Sequence, residues 1–202
     1  MLSTTLNKIR AHQPCASGWK KLLDALGKTK ADDEPLLLLT ILESNGLDDC
    51  LWALHTVPEY DSLWRKYAVW CARQIEHLMT DERSKLALDV AWRHSNGEAT
   101  DDELAAAGVA ACDAALAASS DAAWVVVRAS ASASASDVAG DVAWAVVRAA
   151  AKAAASDVAG DVARAAVRAA QAEKLQAVLT SGEMAWPRIP KLNSGSSCPD
   201  NP

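Results

Sequence analysis

The chain has 202 residues and a formal net charge of −6, so its overall charge gives no reason to expect nucleic-acid binding. Half of the residues are apolar, but much of this is Ala, Phe is absent and eight Trp supply most of the aromatic bulk. The strongest apolar run, Leu36 to Leu42, is too short to cross a bilayer. Five scattered Cys without a Cys-x-x-Cys spacing are typical of a reducing compartment, so we expect a cytoplasmic protein that binds neither membrane nor nucleic acid.

Helix-starting and helix-ending residues recur through the first hundred positions, and no segment alternates at the period of a strand. Pro14 stops one helix, and Gly27 can take the left-handed conformation that closes another. The acidic run Asp32-Asp33-Glu34-Pro35 and the pair Asp48-Asp49 place negative charge where a helix N-terminus favours it. We therefore predict an all-α fold, with helices over about residues 3–12, 17–26, 36–44, 48–55, 61–79 and 81–97.

Thr100-Asp101-Asp102-Glu103 has the pattern of a capping box and predicts the start of a further helix. An alanine-rich array follows to about Leu179, and the Pro, Gly, Ser and Asn after Ser181 are typical of a disordered tail. We divide the chain into a helical body at 1–98, alanine-rich helical repeats at 99–180 and a disordered tail at 181–202. Three cysteines are interpreted as small core residues: Cys50, Cys71 and Cys112.

One pattern occurs three times at a spacing of twenty residues within the array, at 121–128, 141–148 and 161–168. A straight helix rotates by about 200° over twenty residues, so one long rod would present successive copies on opposite sides. Ser-rich stretches and Ser-Asp pairs between the copies are able to break and recap the helix. We therefore expect short antiparallel helices stacked as a solenoid rather than one long rod.

Each predicted repeat helix has a small apolar face and a face that carries Asp, Arg and, in two copies, Trp. Aromatic and Arg residues often anchor protein interfaces, although Trp could equally pack on the body while the charges solvate the surface. The small apolar face could also bury itself against a second copy of the chain. The residues predicted to bind a partner are Trp124, Asp141, Trp144, Arg148, Arg164 and Arg168.

A basic N-terminal segment gives a second candidate site, for a small anion. Residues 1–31 contain six Lys or Arg against one Asp, and such side chains could bind a phosphate-bearing ligand if the first helices fold together. Simple solvation of a basic surface explains the same pattern. The residues of this candidate anion site are Arg10, His12, Trp19, Lys28, Lys30, Arg73 and His77.

Signals for catalysis or metal binding are weak. The acidic residues at 32–34 and 48–49 could hold a divalent cation or act as acids and bases, yet both groups stand at predicted helix starts. Four His occur without a one-turn spacing, so we expect no metal and no cofactor. Cys15 near His12 is a candidate nucleophile that nothing in the local sequence orients, and we expect a protein that is not an enzyme.

Two stretches carry a resemblance to a known family. They run from Ile9-Arg10-Ala-His12 through Lys28-Thr-Lys30 to Leu51-Trp52, and from Asp81-x-Arg83-Ser84 through Thr100 into the array. They resemble alanine-rich, all-helical proteins of phages and prophages that are described as immunity proteins, and the resemblance covers about residues 6–170. It implies a protein of a mobile element that acts by binding and neutralising a toxin or a host defence component.

We therefore expect a phage- or prophage-encoded, non-enzymatic binding protein that inhibits a bacterial defence component or toxin in the host cytoplasm. Two alternatives remain open from the sequence: a protein that sequesters a small anionic nucleotide signal, and a homo-oligomeric structural protein.

Overall fold

The computed structural model describes residues 1–74, 76, 81–118 and 161–184, with side chains at all of these except 114–118 and 161–164. This part of the chain is mostly helical, as the sequence predicts, but it also contains a small two-stranded sheet. In chain order its elements are β1 (Ser3–Thr4), α1 (Leu6–Ala11), α2 (Ala16–Leu26), β2 (Leu36–Leu37), α3 (Leu38–Asn45), α4 (Leu47–Ala53), α5 (Asp61–Arg73), α6 (Glu82–Ser95), α7 (Asp101–Ala118) and α8 (Asp161–Ser181), with single 3₁₀ turns at Leu54–Thr56 and Pro58–Tyr60.

Side-chain caps start several of these helices. Thr5 caps α1 by accepting a hydrogen bond from the Lys8 amide at 3.1 Å, and Asp81 caps α6 by accepting from the Arg83 amide. The predicted capping box is confirmed at α7, where the Thr100 hydroxyl accepts from the Glu103 amide and the Glu103 carboxylate accepts from the Thr100 amide. The hydrogen bond from the Thr100 amide also lowers the pKa of the Glu103 carboxyl. Local chemistry therefore fixes where α1, α6 and α7 begin.

The prediction of a helix start at Asp32-Asp33-Glu34-Pro35 is wrong. Asp32 instead accepts hydrogen bonds from the Glu34 amide and from the Lys28 ammonium, so the acids form a turn that folds back on the end of α2. Leu36 and Leu37 then pair antiparallel with Thr4 and Ser3, and the helix begins only at Leu38. The same pairing keeps Ser3 and Thr4 extended, so the predicted helix near residue 3 does not form and α1 begins only after its Thr5 cap, at Leu6.

The main core joins the two ends of the described chain. Leu175, Val178 and Leu179 of α8 belong to one buried cluster with Leu2, which precedes β1, and with side chains of α1, α2, β2, α3, α4 and α5. The Leu2 amide donates to the Leu179 carbonyl, and the Leu38 amide donates to the Leu2 carbonyl. The end of the alanine-rich array is thus a structural part of the N-terminal body.

A smaller buried cluster lies beside the main core. Val69 of α5, Val90 and Ala91 of α6, and Leu104 of α7 form it, and α7 packs along α6. Half of the residues of α7 are Ala, which buries little area per residue, and among the described side chains of α7 Leu104 is the large apolar one that is buried in this contact.

Several predictions concern residues that the structure does not describe. The repeat copies at 121–128 and 141–148 lie outside the described residues, whereas the third copy forms the start of α8. Of the predicted tail, Ser181 is the last residue of α8 and Met184 packs against the main core, while residues 185–202 lie outside the description. No helix within the described ranges is both long and apolar enough to span a bilayer.

Candidate functional site

A cleft of about 320 Å³ opens between α2 and the turn that joins α3 to α4. Its lining carries two carboxylates, two indole rings and a thiol beside several apolar side chains, and the exposed Asp48 stands at its rim. We call it the acidic cleft, and it is lined by Ile9, Gln13, Pro14, Cys15, Gly18, Trp19, Leu22, Ile41, Asn45, Asp48, Asp49, Trp52 and Ala53.

The turn between α3 and α4 places the carboxylates. Gly46 takes a φ of 93°, in a region that glycine occupies readily, and so α3 ends and α4 begins without an intervening loop. Asp48 and Asp49 then fall in the first turn of α4, which confirms the predicted helix start. The side chains do more than favour the helix dipole, because both line the acidic cleft.

Asp49 is held in place by α2 and α3. The Asn45 side-chain amide donates to Asp49 Oδ2 and to the Gly18 carbonyl, each at 2.9 Å. A Cβ atom on Gly18 would lie only 2.8 Å from Asp49 Oδ2, so the absence of a side chain there makes room for the carboxylate. Lys21 also holds Asn45 in place, because its ammonium donates a hydrogen bond to the backbone carbonyl of Asn45.

Asp48 connects the rim of the acidic cleft to the far end of the chain. Its Oδ1 accepts from Arg168 Nη2 at 2.5 Å, and Arg168 Nη1 donates to the Gln171 side chain at 3.3 Å. The backbone carbonyl of Gln171 in turn accepts from the buried Tyr67 hydroxyl, whose pKa burial raises well above its usual value. A chain of polar contacts therefore runs from Asp48 through α8 to α5.

The thiol of Cys15 lies exposed at the N-cap of α2. Its Sγ accepts from the Gly18 amide at 3.4 Å and lies 3.6 Å from the Ser17 hydroxyl. The ring of His12 instead packs edge-on against buried His55, with ring centroids 4.4 Å apart, and His55 packs against Trp52. The described contacts thus give Cys15 hydrogen-bond donors, while the nearest histidine by sequence is engaged elsewhere.

We expect iodoacetamide to modify Cys15 at least about a hundredfold faster than Cys50 or Cys71 in the native protein, because the thiolate is the reacting form and must be exposed. Cys50 and Cys71 are fully buried, and burial raises the pKa of Cys71 to about 12. Peptide mapping after timed alkylation measures the rates site by site, with urea-unfolded protein as the reference. Equal native rates at the three sites would contradict this placement of Cys15.

The candidate anion site is dispersed over the structure. Trp19 lines the acidic cleft, whereas His12 caps α1 and Arg10 and Lys30 lie exposed elsewhere. Lys28 forms ion pairs of 2.6 Å with both Asp32 and Glu34, and these bonds raise its pKa. Arg73 pairs with Asp89 on α6, and His77 lies outside the described residues.

The candidate partner-binding residues are mostly beyond the description. Arg168 lies at the rim of the acidic cleft, and Arg164 belongs to α8 but its side chain is outside the described set. Trp124, Asp141, Trp144 and Arg148 also lie outside the described residues.

Sequence reasoning missed most of the acidic cleft, including Gly18, Asn45 and Trp52. The adjacent pair Asn45-Gly46 does signal a tight turn, but nothing local indicates that this turn faces α2. Within the described ranges, no group of three or more His, Cys, Asp or Glu side chains could hold a metal ion. No family model, curated protein or solved structure matches the chain.

Proposed function

We propose that the protein is a non-enzymatic binding protein whose acidic cleft receives a cationic side chain of a partner protein. The observation that carries this proposal is the lining: Asp48 and Asp49 share one cleft with Trp19 and Trp52. Carboxylates attract a cation, and an indole face adds cation–π attraction of about 0.5–2 kcal/mol. Arg168 pairs with Asp48 at the rim, but the described lining residues themselves include no Lys or Arg and Asp49 adds a second carboxylate, so the charge of the cleft favours a cation over an anion.

The class of partner comes from the resemblance to phage and prophage immunity proteins. This resemblance implies that the partner is a bacterial toxin or defence component, which the protein neutralises in the host cytoplasm. In this proposal the alanine-rich segment at 99–180 forms a stack of short helices that extends the binding surface. The position of Arg168 supports this extension, because the last repeat copy reaches the rim of the cleft.

Affinity capture from a bacterial lysate tests the proposal with three baits. They are the wild type, the double variant Asp48→Asn/Asp49→Asn, and Asp33→Asn as a charge-removal control at an exposed position outside the cleft. We expect one protein to be retained by the wild type and the control and lost from the double variant, and its own activity to fall when the wild type is added. Identical protein sets on all three baits, or no specific protein, would contradict the proposal.

A further inference from the structure

An arginine side chain of the protein itself contacts the acidic cleft. Arg168 and Asp48 are 120 positions apart in sequence, yet one guanidinium nitrogen lies 2.5 Å from one oxygen of Asp48. The Asp48 side chain remains 71% exposed, so a group from solvent can reach this contact and compete for the carboxylate. Within the described part of the chain, a guanidinium is thus the group that contacts the rim carboxylate.

The second carboxylate is better fixed than the first. Asp49 is positioned by the Asn45 amide and by the space at Gly18, and its Oδ2 takes the hydrogen bond from Asn45. Among the described residues, no cationic side chain is within ion-pair distance of Asp49. A guanidinium that displaced Arg168 from Asp48 would therefore also meet, at Asp49, a carboxylate whose orientation is already set.

The walls of the acidic cleft distinguish arginine from lysine. A guanidinium is planar and weakly hydrated and can stack on an indole while donating hydrogen bonds in its plane, whereas an ammonium is compact and strongly hydrated. Trp19 and Trp52 supply the indole rings, and Asp48 and Asp49 supply acceptors. The volume of about 320 Å³ is at the small end of ligand sites, which suits one side chain rather than a large ligand.

We propose that the acidic cleft is an arginine-recognition site: it binds the guanidinium of an arginine on the partner protein, and Arg168 occupies the rim until that arginine arrives. This inference rests on the proposed function, because it names the side chain that the cleft receives. It also assigns Arg168 a role as an internal competitor, since both guanidinium groups use Asp48.

Calorimetric titration with N-acetyl-arginine methylamide tests the inference on the full chain. The lysine derivative of the same form and AMP serve as the competing ligand classes. We expect the arginine derivative to bind the wild type at least about tenfold more tightly than the lysine derivative, because the planar fork matches carboxylate and indole together. AMP is expected not to bind, because the lining presents carboxylates to its phosphate.

Three variants link the binding to the residues named. Asp49→Asn is expected to weaken binding of the arginine derivative at least about tenfold, because a charge-assisted hydrogen bond is lost. Asp33→Asn should leave the affinity for the arginine derivative unchanged. Arg168→Gln should raise this affinity severalfold, because the side chain that competes for Asp48 is gone. Thermal unfolding of each variant confirms that it is folded.

The outcomes separate the inference from the function on which it rests. Equal binding of the arginine and lysine derivatives, binding of AMP alone, no binding of any ligand, or an unchanged affinity in Asp49→Asn would overturn arginine recognition. A partner captured through Asp48 and Asp49 would still support the proposed function in those cases. Conversely, arginine-selective binding without any captured partner would uphold the site and contradict the protein-binding function.

Discussion

Replacing Leu175 and Leu179 together by Ala is expected to lower the free energy of unfolding by about 4–8 kcal/mol. Both side chains are at most 1% exposed and belong to the main core, which also contains Leu2 and Leu6. Each Leu→Ala change removes buried methyl groups and leaves a cavity, at a cost of about 2–5 kcal/mol. Since a domain is stable by only about 5–15 kcal/mol in total, the double variant should be largely unfolded or strongly destabilised.

Urea unfolding followed by circular dichroism measures this loss. Gln176→Ala is the matched control, because Gln176 is exposed on the same helix and its replacement should cost less than about 0.5 kcal/mol. A double variant as stable as the control would show that α8 does not contribute to the core. The two leucines are one helical turn apart, so their effects need not add, and the single variants show how strongly they interact.

Leu104→Ala is expected to cost about 2–4 kcal/mol and to detach α7 rather than unfold the main core. Leu104 is 1% exposed and contacts the small cluster of Val69, Val90 and Ala91, whereas the rest of α7 is rich in Ala. Because Leu104 is the one large apolar side chain that the described part of α7 buries in this cluster, α7 should open locally when that side chain is removed. Amide hydrogen exchange should therefore become fast in α7 while amides of α5 remain protected.

Val109→Ala is the control for this experiment, because Val109 lies on the same helix and is 65% exposed. It should change neither stability nor exchange by a measurable amount. If Leu104→Ala accelerated exchange equally in α5 and α7, the two clusters would be one cooperative unit. That result would contradict the separate anchoring of α7.

Helix boundaries that depend on local chemistry were predictable from the sequence. Pro14 ends the first helix region, Gly27 closes α2 with a φ of 64°, and Thr100 with Glu103 opens α7. In each case the deciding atoms lie within a few residues of one another. A short stretch of sequence therefore contains all the information that the boundary requires.

The small sheet was missed because two-residue strands carry no periodic signal. Leu36 and Leu37 pair with Thr4 and Ser3, more than thirty positions earlier, so the competing interaction is non-local. The acids at 32–34 have the local pattern of a helix start, and the interaction that overrides it is non-local in the same way. Leu36 and Leu37 are held extended by their pairing with β1, so the helix begins only after them.

Even less of the acidic cleft could be predicted from the sequence. The sequence predicts Asp48 and Asp49 as a helix start, which they are, but their second role depends on α2 lying opposite. The repeat pattern predicts Arg168 as part of a repeated surface, and its partner Asp48 stands 120 positions away. Patterns of a single sequence indicate residue types, whereas the meeting of Trp19, Asp49 and Trp52 is a property of tertiary packing.

The position of Leu2 also determines when the protein can finish folding. Its backbone bonds to Leu38 on one side and to Leu179 on the other, and its side chain lies in the core. During translation at about 5–20 residues per second, the first strand emerges many seconds before α8 exists. Nascent chains therefore expose the apolar surface that Leu175 and Leu179 later cover, and a chaperone that binds such surfaces has that interval in which to act.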